Sequence, residues 1–193
     1  MYRKTIVLFA LAAAILFIHS TDVSAKITPT TMPTLVPTQA PEETKVEKIE
    51  YTLPYPGILP DHPLYVLKNI RDKIMDFLIR DPLKRIEFNI LMADKRLNMG
   101  IILSDQSKHE KAGSIITEAE QFMNYALAEG KKAKDQGREV RSDIIKKLEH
   151  SLAKHKEVIN ELLQKGPESV KKGYEKAVAI IQANQELVPS LSK

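Results

Sequence analysis

Proline is spread so unevenly along this 193-residue chain that it divides the sequence by itself. Eight of the 11 prolines fall between Pro29 and Pro63. Pro29, Pro33, Pro37 and Pro41 recur every fourth residue, and Thr follows each of the first three. A proline has its φ fixed and no N–H to donate, so a run like this joins neither a helix nor a sheet ladder. Residues 26–60 are therefore expected to form an extended, partly polyproline-II linker. On the C-terminal side of this linker a helical domain is expected over 61–193.

The segment before the linker has a different composition. Arg3 and Lys4 precede an uninterrupted, mostly apolar run from Thr5 to Ile18, and small residues, Val23 and Ala25, stand three and one positions before Lys26. This is the layout of a secretory signal peptide cleaved after Ala25, so residues 1–25 are expected to direct export. An uncleaved signal anchor is the alternative, in which case this segment is the chain's membrane contact. The run is short beside the about 20 residues of a spanning helix. Both readings place the remainder outside the cytoplasm, as a secreted or cell-surface protein. With no Cys in the chain, neither lipid attachment at the cleavage site nor a disulfide is available, and the fold depends on its core.

From Asp61 onward the apolar residues recur at helical spacing. Asp61 is the expected N-cap of a first helix with Pro63 in its first turn, and Leu67, Ile70, Ile74, Phe77 and Leu78 form its apolar stripe. Asp81-Pro82 ends that helix and caps the second. The second helix carries Ile86, Ile90, Ala93, Leu97 and Ile101, widened by Phe88, Leu91 and Met92, and is expected to be the most buried. After the polar break at 104–107, a third stripe runs from Ala112 to Ala133. Gly130 is expected to interrupt it, with Gly137 as the stop. A fourth helix starts near Ser142 and ends at Gly166-Pro167, and a fifth runs from about Glu168 to Leu187. No segment alternates with period two. The expected fold is all-α, an antiparallel bundle of about five helices.

The stretch from Leu53 to about Leu103 resembles the prokaryotic domain of unknown function 5667. The resemblance rests on Pro-Gly-x-Leu-Pro-Asp-x-Pro at 56–63, Leu64-Tyr65-x-Leu67-Lys68, the break Asp81-Pro82, and Ala93-Asp94-Lys95-Arg96-Leu97. It implies a signal- or membrane-anchored protein with an extracytoplasmic helical domain. The family carries no assigned activity.

Three residues in the matching strings are candidates for structural or partner contacts. The ring of Tyr65 is expected to pack on a neighbouring helix, with its hydroxyl hydrogen-bonded. Lys68 and Arg96 are expected to pair with carboxylates such as Asp72, Asp94 or Glu87, or, with Arg71, to hold an anion. Exposed pairs of this kind add little stability.

The remaining chemistry is sparse. There is no Glu-x-x-His, the pairing used by metal sites in bundles. His155 falls on the apolar stripe of the fourth helix and reads as a hydrogen-bonded core residue. His150 is poorly spaced to share a metal with it, and His109 offers only a weak surface site beside Asp105 or Glu110. There is no Gly-x-Ser-x-Gly and no Gly-rich phosphate loop. The lysine clusters at 131–134, 146–147, 154–156 and 171–172 alternate with acids and read as a solvated face, with attraction to anionic envelope polymers or lipid headgroups as the alternative. A net charge of +4 spread over both signs, with 6% aromatics, argues against nucleic acid. The chain is therefore expected to have no catalytic residues, cofactor or bound metal, and to act as a non-catalytic interaction or structural module. Its expected partner is an envelope or extracellular protein or a wall polymer. The alternative is a bundle binding a metal or small anion. The oligomeric state is open.

Overall fold

A computed structural model describes residues 48–192. The expected signal segment, and the linker up to residue 47, lie outside the described residues. The fold is all-helical: α1 (Tyr65–Leu78), α2 (Pro82–Asp105), α3 (His109–Asp135), α4 (Ser142–Lys165) and α5 (Glu168–Leu187), closed by a 3-10 turn, Val188–Leu191. There is no strand among the described residues.

Two helical hairpins make the body. α2 packs along α3 and α4 along α5, and the hairpins meet through α3–α5 and α2–α4 contacts. The core runs through all four helices, from Ile86 and Leu97 to Met123, Leu152, Ile159, Tyr174 and Ile181. α2 buries the most residues, as its wide stripe implies. Gly100 lets α2 and α3 approach closely, since a Cβ there would lie 2.5 Å from Ile116 Cγ1.

Several punctuation signals act as the sequence implies. The Asp81 carboxylate accepts from Leu83 N at 2.9 Å, capping α2 with Pro82 at its first position. Gly137, at φ 71°, closes α3 with Arg138 N donating to Ala133 O and Gly137 N to Lys134 O. Ser107 does the same for α2 at φ 60°, a left-handed conformation without the help of glycine.

Other signals act differently. Gly130 does not interrupt α3, which continues to Asp135; the missing side chain instead admits Leu191, whose Cδ1 would sit 2.9 Å from a Cβ at 130. Asp61 is not an N-cap, because α1 begins four residues later; it pairs with Lys108 at the α2–α3 turn. Residues before Asp61 also belong to the packed body. Ile49 N donates to Glu157 Oε2, Tyr51 OH to Asp94 Oδ2, and Asn98 Nδ2 to Pro54 O, so residues 49–54 form a strap along α2 and α4.

Candidate functional site

α1 faces the opposite way from what its stripe suggests. A helix of this pattern ordinarily turns its apolar face to the core, yet here Val66, Leu67, Ile70, Ile74, Phe77 and Leu78 all face solvent, with Leu67, Leu78 and Phe77 exposed by 62, 67 and 80%. The buried residues of α1 are Lys68 and Asp72. At 100° per residue the six apolar side chains share one arc bordered by Arg71 and Lys73, and the polar residues Lys68, Asp72 and Asp76 share the other.

The polar underside explains the inversion. Lys68 Nζ bonds Asp72 Oδ2 at 3.2 Å, both side chains only 6% exposed, and sits 5.4 Å from the Tyr65 ring centre. Arg71 closes over the same carboxylate at 2.7 Å. Burial holds the Lys68 ammonium below its usual pKa despite Asp72. Burial alone would raise the Asp72 carboxyl, but Arg71 and Lys68 outweigh it and hold the group below the usual carboxylate range. Farther along, Asp76 accepts from Arg85 of α2 at 3.3 Å, and Arg85 also faces Glu129 of α3 at 3.6 Å. Lys68, Asp72 and Arg71 neutralise one another within α1, so this face can be buried at all; the contacts that turn it inward are those reaching other helices, the Asp76–Arg85 pair and the Tyr65 ring.

The structure brings Tyr65, Lys68 and Arg96 together under α1. Arg96 does not pair with Asp94 or Glu87; it donates to Glu118 Oε2 at 3.2 Å and lies 4.1 Å over the Phe122 ring. Its charge opposes that of Lys68. The Tyr65 ring packs beside Met99, Leu103, Ala112 and Ile115, and its hydroxyl is buried with no hydrogen-bond partner among the described residues. Lys68 and Asp72 are likewise a buried pair rather than an exposed one. Between this underside and the α2–α3 hairpin lies an open cleft of about 610 Å³, whose walls include Asp72, Asp76, Arg85, Arg96 and Phe122.

A second polar cluster lies inside the core. His155 is fully buried, with Nδ1 2.8 Å from Glu120 Oε1 and Nε2 3.3 Å from Asp94 Oδ1. Asp94 also accepts from Ser151 Oγ at 2.5 Å and Tyr51 OH at 2.6 Å. Burial by itself would push the imidazole pKa down, but the two carboxylates outweigh it and raise it to about 9. The Tyr51 hydroxyl is raised by burial and then by Asp94. His155 is thus the hydrogen-bonded core histidine its position implied, now with both carboxylates identified. Ser151 and Lys154 have Ser-x-x-Lys spacing but do not bond each other: Ser151 serves Asp94, and Lys154 bonds Glu157 at 2.8 Å. Lys154 is accordingly buried, unlike the solvated lysines of the other clusters. Among the described residues no group of three or more His, Cys, Asp and Glu is placed to hold a metal ion.

The class of protein is therefore an all-α domain of two packed hairpins, carrying a lateral amphipathic helix clamped by its polar face. The family model described as a domain of unknown function (DUF5667) matches residues 57–169, and the chain belongs to that family. Comparisons with curated proteins and with solved structures return no match. No helix among the described residues is long and apolar enough to cross a membrane.

Proposed function

We propose that this protein is an exported, cell-envelope-associated module that acts by docking one helical face on a partner, without catalysis. The observation that carries the reading is the outward apolar stripe of α1, which lies opposite the buried Lys68–Asp72 pair and the Asp76–Arg85 pair that ties the helix to α2. A monomeric surface rarely leaves a contiguous apolar patch beyond about 300–600 Å² uncovered without a use for it. Export is supported by the basic start and apolar run at residues 3–18, and reach by the Pro/Thr repeat beyond them.

Two charged substitutions on the stripe, Ile74→Asp and Phe77→Asp, test this in native cells. Both sites are solvent-exposed, so the melting temperature should hold within a few degrees while retention of the chain in the envelope fraction falls. Undiminished retention, a cytoplasmic location, or substrate turnover by the purified protein would each overturn the proposal.

The cleft under α1 favours one further reading, a small-anion site at Arg85 and Arg96. Both residues line it, although each already has a carboxylate partner. A rise in melting temperature with added phosphate or sulfate, lost on Arg96→Gln, would support that reading. A flat response refutes it.

A further inference from the structure

We infer that the apolar stripe of α1 is a lipid-docking face that lays the domain on an anionic membrane surface. The inference rests on the docking reading above and names the occupant of that face. Three observations select a lipid surface.

The first is the stripe itself. Val66, Ile70, Ile74 and Phe77, with Leu67 and Leu78, fill one continuous arc along the whole of α1, each half or more exposed. A helix lying in a membrane interface buries a face like this about 5–10 Å into the headgroup and acyl boundary.

The second is the sign of the border. On the open side of α1 the charged residues are Arg71, which reaches back to Asp72, and Lys73, and both acids turn toward the body, where Lys68, Arg71 and Arg85 hold them. Lys73, and Arg80 and Lys84 just beyond the helix, are exposed and have no ion-pair partner among the described residues. Long basic side chains flanking an apolar stripe lay their stems on it and keep their charges at headgroup level. Each such cation near an anionic surface strengthens binding by roughly fivefold.

The third is that the same border disfavours a second copy. An antiparallel pairing that covers the stripe from Val66 to Leu78 is centred on Asp72. It brings the two copies' Arg71 side chains together on one flank and the two copies' Lys73 side chains together on the other. Like charges facing each other in this way oppose association.

The test uses the full chain, which has no Cys, so one cysteine takes one label. Ile74→Cys carries an environment-sensitive fluorophore, and Lys146→Cys, at an exposed position of α4, is the control. The probe is a vesicle of equal parts phosphatidylcholine and phosphatidylglycerol, and the readout is the label's surroundings: a blue shift, quenching by lipid-borne nitroxide, and protection from aqueous iodide. Chain brought to the vesicle by its N-terminal segment alone does not give this signal. The expected result is shielding at position 74 but not at 146. Adding Lys73→Glu, a two-unit change of charge at the border, should weaken it roughly 10–30-fold.

Equal shielding on pure phosphatidylcholine overturns the anionic assignment. A label that stays aqueous on vesicles, yet becomes shielded with rising chain concentration in their absence, overturns the lipid surface in favour of a second copy and leaves the docking reading intact. A label that stays aqueous in both conditions overturns the lipid surface outright, and the envelope-retention experiment then decides whether the docking reading falls with it.

Discussion

His155 makes the stability of this fold depend on pH in a direction that can be worked out. An imidazole in the unfolded chain gives up its proton near pH 6.5, whereas the folded one, 2.8 Å from Glu120 and 3.3 Å from Asp94, keeps it to about 9. A folded pKa above the unfolded one stabilises the protein fully below the unfolded value, and that stability is lost as pH rises through the folded value. The gap corresponds to about 3 kcal/mol, a large share of the 5–15 kcal/mol typical of a domain. Urea denaturation of the full chain, followed by circular dichroism between pH 6 and pH 9, should show unfolding free energy falling by about this amount. His155→Gln cannot carry the proton, so its profile should be nearly flat over the same range and lie several kcal/mol lower at pH 6. If that variant does not fold, the wild-type imidazole resonance decides by its own titration midpoint. Equal slopes in the two proteins, a wild type that gains stability from pH 6.5 to 9, or a midpoint near 6.5 would refute the reasoning.

Three more substitutions probe other joints. Asp72→Asn strands the buried Lys68 ammonium, and amide exchange across Tyr65–Leu78 should accelerate at least tenfold while the α2–α5 core changes little; uniform acceleration would show that α1 is not separately clamped. Gly100→Val drives a side chain into Ile116 at the closest approach of α2 and α3, and should cost about 1–3 kcal/mol in chemical denaturation. Ser107→Gly relieves a left-handed residue at the α2–α3 turn and should stabilise by about 0.5–1 kcal/mol; a lower melting temperature would contradict the strain.

The helices are legible in the sequence because their signals are local. Asp81-Pro82, Gly137 and Gly166-Pro167 fix ends through caps and φ values that depend on a few neighbours. Inference across space is what fails. Periodicity shows that α1 is amphipathic, but only its docking partners decide which face turns inward, and there Asp76 meets Arg85 of α2 while Lys68, Asp72 and Arg71 neutralise one another within α1. Gly130 reads as a helix breaker because the residue it accommodates, Leu191, lies at the far end of the chain. The Asp94–His155–Glu120 cluster joins three helices and escapes a helix-by-helix reading, although a signal exists: Asp94 is four residues from Ile90 and Glu120 four from Ile116, so both acids sit on apolar stripes, as His155 does. Ionisable residues at core positions of three different helices are grounds for expecting them to meet.

On the proposed docking reading, the α1 stripe is open in the isolated protein and covered in the cell envelope. Single-cysteine reactivity measures both halves at once, with Ile74→Cys on α1 and Lys146→Cys as the exposed control. In the purified chain at low concentration the two positions should react with a water-soluble maleimide at comparable rates. In the native envelope fraction, position 74 should slow at least about tenfold while position 146 does not, as when apolar surface is removed from water. Protection of position 74 in the isolated chain, or equal reactivity of both positions in the envelope, would contradict the account.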